Sequence, residues 1–136
     1  MRKWNLLLAL ALVVVASLSA VAPARAHYDE GCTPGYWKQE QHFDSWVGYA
    51  PGDYFDAVFG VGPHITLLDG LGLNGGGENA MIRHAVAALL DASSDINYPM
   101  EVSGVINLVV RAYQQGRFED AKNRFESANE LGCPLN

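Results

Sequence analysis

The sequence predicts a small all-α domain closed by a disulfide, with an irregular first half rich in aromatic residues and glycine, followed by three helices. Two observations support this prediction. After Glu78, apolar residues recur at helical spacing in three successive segments, and glycine follows the last two of them. The only two cysteines, Cys32 and Cys133, lie near the two ends of the chain that remains once an export signal is removed.

Residues 1–26 have the organisation of a cleaved export signal. Two basic residues precede an apolar run over residues 6–15, and the segment closes on Ala24-Arg25-Ala26, whose small side chains suit a signal peptidase. Ala22-Pro23-Ala24 is a second acceptable site, so cleavage after Ala24 and cleavage after Ala26 both remain open. The alternative is an uncleaved membrane anchor, because the apolar run can be extended to nearly the length of a membrane span.

Removal of the signal leaves 110 of the 136 residues, which is enough for one domain, residues 27–136, and too few for two. The signal contains Arg2, Lys3 and Arg25, so its loss changes the formal net charge from −6 to −9. A domain this acidic repels nucleic acid and anionic membranes, and no basic patch is evident along the chain. We therefore expect no nucleic-acid partner, and no membrane span after cleavage.

The cysteines of an exported domain lie in an oxidising compartment, where two cysteines that flank the whole domain most simply pair with each other. A Cys32–Cys133 bond is therefore expected, with a structural role. Two free thiols and intermolecular bridges are the alternatives.

Three short helices are predicted in the first half of the mature chain. Residues suited to N-capping precede each of them, namely Thr33, Asp53 and Thr66. The first helix begins at Pro34 and runs to about Gln41, and the second ends at Gly60. Glycines at 70, 72 and 75–77 then interrupt the chain.

Three longer helices are predicted over Asn79–Ala92, Val102–Gln115 and Arg117–Leu131. The first is apolar or small-sided on most of its surface, so it belongs in the middle of the fold. The expected inward stripe of the second consists of Val102, Val105, Ile106, Val109 and Tyr113. The expected i,i+4 ion pairs on the outer face of the third are Asp120 with Arg124 and Lys122 with Glu126.

The segment Cys32-Thr33-Pro34-Gly35-Tyr36-Trp37-Lys38 resembles a group of bacterial secreted and surface proteins that carry a C-T-P-G-[YF]-W-K sequence. Further similarity lies in residues 41–46, 58–60, 83–90 and 130–134, so the resemblance extends across nearly the whole mature chain. It implies an exported, mostly helical module closed by its terminal cysteines. It does not specify an activity, but it favours binding or structure at the cell surface.

Aromatic residues are concentrated between Tyr36 and Phe59, which allows two interpretations. They can close the core of a small domain, because aromatic side chains bury the largest area. They can instead form an exposed platform for a protein or glycan partner. For the second case the candidate binding residues are Tyr36, Trp37, Lys38, His42 and Trp46, with Arg83 and His84 completing or bracing the site.

A metal-dependent role is the alternative function, built on His42, Asp44 and His84, since imidazole and carboxylate suit zinc or copper. No local segment has metal-ligand spacing, however, and a hydrogen-bonded, partly buried His84 is the simpler interpretation. No catalytic or cofactor motif is readable, so we expect no cofactor, and binding is favoured over catalysis. The sequence thus predicts an exported binding or structural module, secreted or periplasmic.

Overall fold

The computed structural model describes residues 28–135, so the predicted signal over residues 1–26 lies outside the described residues. The described chain folds as seven helices, as the all-α prediction requires, and contains no strand beyond two isolated bridges. In order they are α1 (Pro34–Trp37), a 3-10 helix (Glu40–Ser45), α2 (Phe55–Phe59), α3 (Leu67–Leu71), α4 (Gly77–Ser93), α5 (Val102–Gln115) and α6 (Phe118–Asn129).

The short helices of the first half begin as their sequence predicts in two cases of three. The Thr33 hydroxyl accepts from the N–H of Tyr36 ahead of α1, and the Thr66 hydroxyl accepts from the N–H of Asp69 in α3. The prediction of an Asp53 cap is wrong, because the Asp53 carboxylate turns back to accept from the N–H of Ala50 at 2.8 Å.

The first short helix is also shorter than predicted. It ends at Trp37 instead of reaching Gln41, and the chain continues as the 3-10 helix over Glu40–Ser45. That second turn changes the chain direction and allows Trp46 to return to the core, where its indole N–H donates to the carbonyl of Trp37 at 3.3 Å.

Helix α4 forms the centre of the fold, as its apolar composition predicts. Eleven of its seventeen residues are buried, and α1, α3, α5 and α6 all pack against it. Four of the eleven are alanines, whose small side chains allow neighbouring helices to approach closely. The described domain is therefore organised around one largely buried helix.

The buried stripe of α5 differs from the predicted one. It consists of Val105, Leu108, Val109 and Ala112, which follow the i, i+3, i+4, i+7 pattern of one helix face. The predicted members Val102, Ile106 and Tyr113 are only half-buried. The difference arises because α5 packs against both α4 and α6, which rotates its buried face towards Leu108 and Ala112.

The two ends of the domain are joined as predicted. Cys32 and Cys133 form a disulfide, and the N–H of Gly31 donates to the carbonyl of Gly132 at 3.1 Å beside it. A Cβ atom on Gly31 would lie 2.0 Å from the carbonyl oxygen of Ala128, so only glycine fits where the first segment crosses the end of α6.

A buried carboxyl group attaches the first segment to the central helix. Asp91, near the end of α4, is fully buried, and its Oδ1 accepts from both the backbone N–H of Cys32 and the indole N–H of Trp37, each at 2.9 Å. The other carboxyl oxygen has no hydrogen-bond partner within residues 28–135. Asp91 thus positions the disulfide segment and the aromatic segment together.

Candidate functional site

The aromatic segment does not form the exposed platform that the sequence allowed. Trp37 is completely buried and Trp46 is 9% exposed, so neither ring is available to a partner. Trp37 is held by Asp91, and Phe43 packs edge-on against Trp46 with ring centroids 5.9 Å apart. The prediction that Trp37 and Trp46 bind a ligand is therefore wrong, and both belong to the core.

The remaining residues of that segment lie at the protein surface. The ring of Tyr36 is stacked on His42, with centroids 4.0 Å apart and planes 19° from parallel, and both are half-buried. Lys38 is exposed. With the tryptophans in the core, the segment retains two stacked Tyr–His pairs at the surface, Tyr36 with His42 and the 45% exposed Tyr54 with His64, whose ring centroids are 4.0 Å apart.

Arg83 and His84 contact other parts of the fold. The Arg83 guanidinium donates to the carbonyl of Leu73 at 2.6 Å and to that of Gly75 at 3.4 Å, so it braces the glycine-rich segment ahead of α4. His84 faces α6, where its carbonyl accepts from the Asn129 amide at 3.0 Å. The contacts of these two residues thus lie at the glycine-rich segment and at α6, because consecutive positions on α4 point to different neighbours.

The predicted metal site is also wrong. His42, Asp44 and His84 are not brought together, and the part of the chain that the structure describes contains no group of three or more His, Cys, Asp or Glu side chains that could hold a metal ion. His42 is stacked on Tyr36 at the surface, whereas His84 is buried beside α6.

His84 is a buried imidazole at the α4–α6 contact. Its Nε2 lies 3.8 Å from Oε1 of Glu126, and its Nδ1 has no hydrogen-bond partner within residues 28–135. Burial lowers the pKa of His84 below its ordinary value, and nearby Arg83 and Lys122 act in the same direction, against Glu126 and Glu130. The folded domain therefore holds this imidazole neutral more firmly than the unfolded chain does.

His84 should make the domain less stable in acid. Since the pKa is lower in the folded state, the unfolded chain binds more protons below about pH 6.5, and stability decreases as the pH falls through that range. We expect the free energy of unfolding of His84→Leu, measured with urea, to increase relative to that of the wild type as the pH falls from 7.5 to 5. His64→Leu, which removes an exposed imidazole, is the control. An equal trend in both variants would contradict the assignment to burial.

A groove of about 310 Å³ lies between α5 and α6. Helix α5 ends at Gly116, which has a left-handed backbone conformation (φ 64°), and α6 begins two residues later. The short turn places α6 beside α5, and a cleft lies between the outer faces of the two helices. Its lining residues are Leu108, Arg111, Ala112, Gln115, Arg117, Asp120, Ala121 and Arg124.

The α5–α6 groove concentrates positive charge in an acidic protein. The chain after the predicted signal has fifteen carboxylate residues and six lysines or arginines, and three of those six line this groove. Arg117 is paired with Asp120, whereas Arg111 and Arg124 have no carboxylate partner within residues 28–135. The groove thus presents two unpaired guanidinium groups above an apolar floor.

Sequence reasoning missed this groove and predicted that no basic patch exists. It also paired Arg124 with Asp120, but the structure pairs Asp120 with Arg117 instead, while the predicted pair of Lys122 with Glu126 is present at 2.6 Å. The sequence contained an indication of it, since four of the six cations after residue 26 fall within residues 111–124. Whether those cations share one surface depends on which faces of α5 and α6 lie next to each other.

No protein-family model, curated protein or solved structure matches this chain. Within residues 28–135, no helix is both long enough and apolar enough to cross a membrane. The candidate site therefore rests on geometry and charge alone.

Proposed function

We propose that this protein is an exported binding module, secreted or periplasmic, that holds an anionic group of a surface partner in the α5–α6 groove. The observation that carries the proposal is the placement of half of the cations after the signal around one groove in a domain of net charge −9. Arginine suits this role because its planar guanidinium binds carboxylates with two parallel hydrogen bonds. Two of the three arginines, Arg111 and Arg124, have no carboxylate partner within residues 28–135.

Export is supported by three features. Residues 1–26 have the order of a cleaved signal, the Cys32–Cys133 bond is of the kind that persists in oxidising compartments, and the C-T-P-G-Y-W-K segment resembles bacterial secreted and surface proteins. A binding role is supported by a preformed groove whose lining, within residues 28–135, consists of arginine, aliphatic and amide side chains with one carboxylate. The aromatic residues between Tyr36 and Phe59 are not among those lining residues.

The proposal predicts charge-dependent binding of short anionic probes. Triglutamate and trigalacturonate, titrated separately by calorimetry at low salt, should yield binding to at least one. Arg111→Gln and Arg124→Gln should each weaken that binding about tenfold, since a hydrogen bond to a charged group contributes about 1.5–3 kcal/mol. Raising the salt concentration should weaken it further.

Lys38→Gln is the matched control, because it removes one exposed positive charge that does not line the groove. Circular dichroism should show that all three variants stay folded, since Arg111 and Arg124 are exposed. Equal losses in the Lys38 variant and the groove variants would reject the groove as the site. Absence of binding by both probes would reject the anionic partner.

A further inference from the structure

We infer that the occupant of the α5–α6 groove is a short peptide segment in which an aliphatic side chain lies between two carboxylates. This inference rests on the proposed function and specifies its partner. Three properties support it, namely the two groove arginines that have no carboxylate partner within residues 28–135, the apolar and amide lining of the groove, and the net charge of −9 of the domain.

The two unpaired arginines come from opposite walls of the groove. Arg111 belongs to α5 and Arg124 to α6, and the third arginine, Arg117, is already paired with Asp120 near the turn between the helices. Each free guanidinium can take one carboxylate in bidentate geometry. A ligand with two carboxylates, one towards each helix, can therefore satisfy both.

The floor between the two arginines is apolar and small-sided. Leu108, Ala112 and Ala121 are each at most 9% exposed, so the groove base is the outer edge of the helix-packing core. A volume of about 310 Å³ is at the lower end of the range for ligand pockets, which limits the occupant to a short segment. An aliphatic side chain placed on this floor removes mainly its own apolar surface from water.

The chemistry of the lining favours a peptide over a sugar. No aromatic ring lines the groove on which a sugar ring could stack, whereas the Gln115 amide offers both a donor and an acceptor to a peptide backbone. Leu108 and the two alanines match an aliphatic side chain and offer no hydrogen bond to sugar hydroxyls. A protein segment therefore fits this groove better than a glycan does.

The net charge of the domain favours a short acidic segment over an extended polyanion. Beyond its three arginines, the chain after the predicted signal has three other cations against fifteen carboxylates, one of which, Asp120, lines the groove. A uronate polymer that extended past the groove would bring further negative charges to a domain of net charge −9, which disfavours its binding. A peptide with only two carboxylates can place both on arginine.

The test uses blocked peptides and one sugar acid against the full mature protein. The peptides Glu-Leu-Glu and Glu-Ala-Leu-Ala-Glu provide two spacings, and for the tighter of them we prepare two analogues, one with both glutamates changed to glutamine and one with leucine changed to serine. Trigalacturonate is the glycan probe. Binding is followed by calorimetry, and the contact residues are identified by NMR chemical shifts.

We expect one of the two glutamate peptides to bind and to shift the signals of Arg111, Arg124 and Leu108. Each analogue should bind about tenfold more weakly, because one has lost the carboxylates and the other the apolar anchor. Arg111→Gln and Arg124→Gln should weaken the parent peptide to a similar extent, and Lys38→Gln should not.

The outcomes separate this inference from the proposal on which it rests. If trigalacturonate binds in the groove more tightly than both peptides, or if the serine analogue binds as tightly as its parent, the peptide inference is overturned while an anionic partner stands. If no probe binds, or if binding is unaffected by the arginine substitutions, the proposed function fails as well.

Discussion

Removing the disulfide should reduce the free energy of unfolding by about 4–5 kcal/mol. The bond joins residues separated by 101 positions, so it constrains almost the entire unfolded chain, and the chain-entropy estimate for a loop of this length is about 4.7 kcal/mol. Cys32 is completely buried and Cys133 is exposed, so the suitable variant combines Cys32→Ala with Cys133→Ser. Typical domains have about 5–15 kcal/mol of stability, so this variant should be close to unfolding at 37 °C.

Urea unfolding of the oxidised protein, the reduced protein and the double variant measures this effect. Intact mass of the oxidised protein should be two hydrogens lower than that of the reduced form, which verifies the starting material. Reduction and substitution should produce similar losses, since Ala fills the buried Cys32 position without a new polar group. A loss below about 1 kcal/mol in both would show that the unfolded chain is already held together near its ends.

Substitution of Asp91 by alanine should cost about 3 kcal/mol or more. The change leaves two buried donors, the N–H of Cys32 and the indole N–H of Trp37, without an acceptor, and each unsatisfied donor costs about 1–3 kcal/mol. Because these bonds connect the first segment to α4, we expect that segment to loosen first. Hydrogen exchange of the Trp37 indole proton, together with urea unfolding, measures both effects.

Asp91→Asn separates the hydrogen-bond role from the charge. Burial raises the pKa of the Asp91 carboxyl from 3.8 to about 8, although the hydrogen bonds from Cys32 and Trp37 act in the opposite direction. The folded protein therefore keeps a proton on Asp91 near pH 7, whereas the unfolded chain has lost it. Since the unfolded state binds fewer protons between about pH 4 and pH 8, this carboxyl makes the protein less stable as the pH rises through that range.

The asparagine variant retains an acceptor for both donors and cannot ionise. We expect it to have a much higher free energy of unfolding than Asp91→Ala. Its free energy of unfolding relative to that of the wild type should increase by several kcal/mol as the pH rises from 5 to 8, given a carboxyl pKa of 3.8 in the unfolded chain and about 8 in the folded protein. Unfolding curves at pH 5, 6.5 and 8 for the three proteins measure this. A constant difference between asparagine variant and wild type would show that Asp91 stays ionised in the folded state.

The helices of the second half could be predicted because their signals are local. Predicted and observed bounds agree over Val102–Gln115, and α4 extends two residues before and one beyond the predicted Asn79–Ala92. Apolar spacing and a C-terminal glycine act within one or two turns, so neighbouring residues suffice to determine them. The predicted Asp53 cap is absent because a second local partner competes for its carboxylate, which accepts from the N–H of Ala50 instead of from the helix.

The candidate site could not be predicted in the same way. Tyr36, Trp37 and Trp46 have the composition of a binding platform and of a core alike, and what separates the two is the acceptor supplied to Trp37 by Asp91, 54 positions away. Arg111 and Arg124 lie on different helices, so the concentration of cations over residues 111–124 does not show which of them share a groove. The prediction that Trp37 and Trp46 are exposed failed because composition does not say which side of a segment is covered.

The amino-acid sequence by itself determined the helical class and the bounds of the long helices to within two residues, and it made Cys32–Cys133 the simplest cysteine pairing. These properties depend on periodicity, capping and a count of thiols. Only the tertiary structure decided that the tryptophans are core, that His84 and Asp91 are buried, and that three arginines line one groove. The physical reason is that burial and charge clustering are set by contacts between helices, which local sequence signals do not encode.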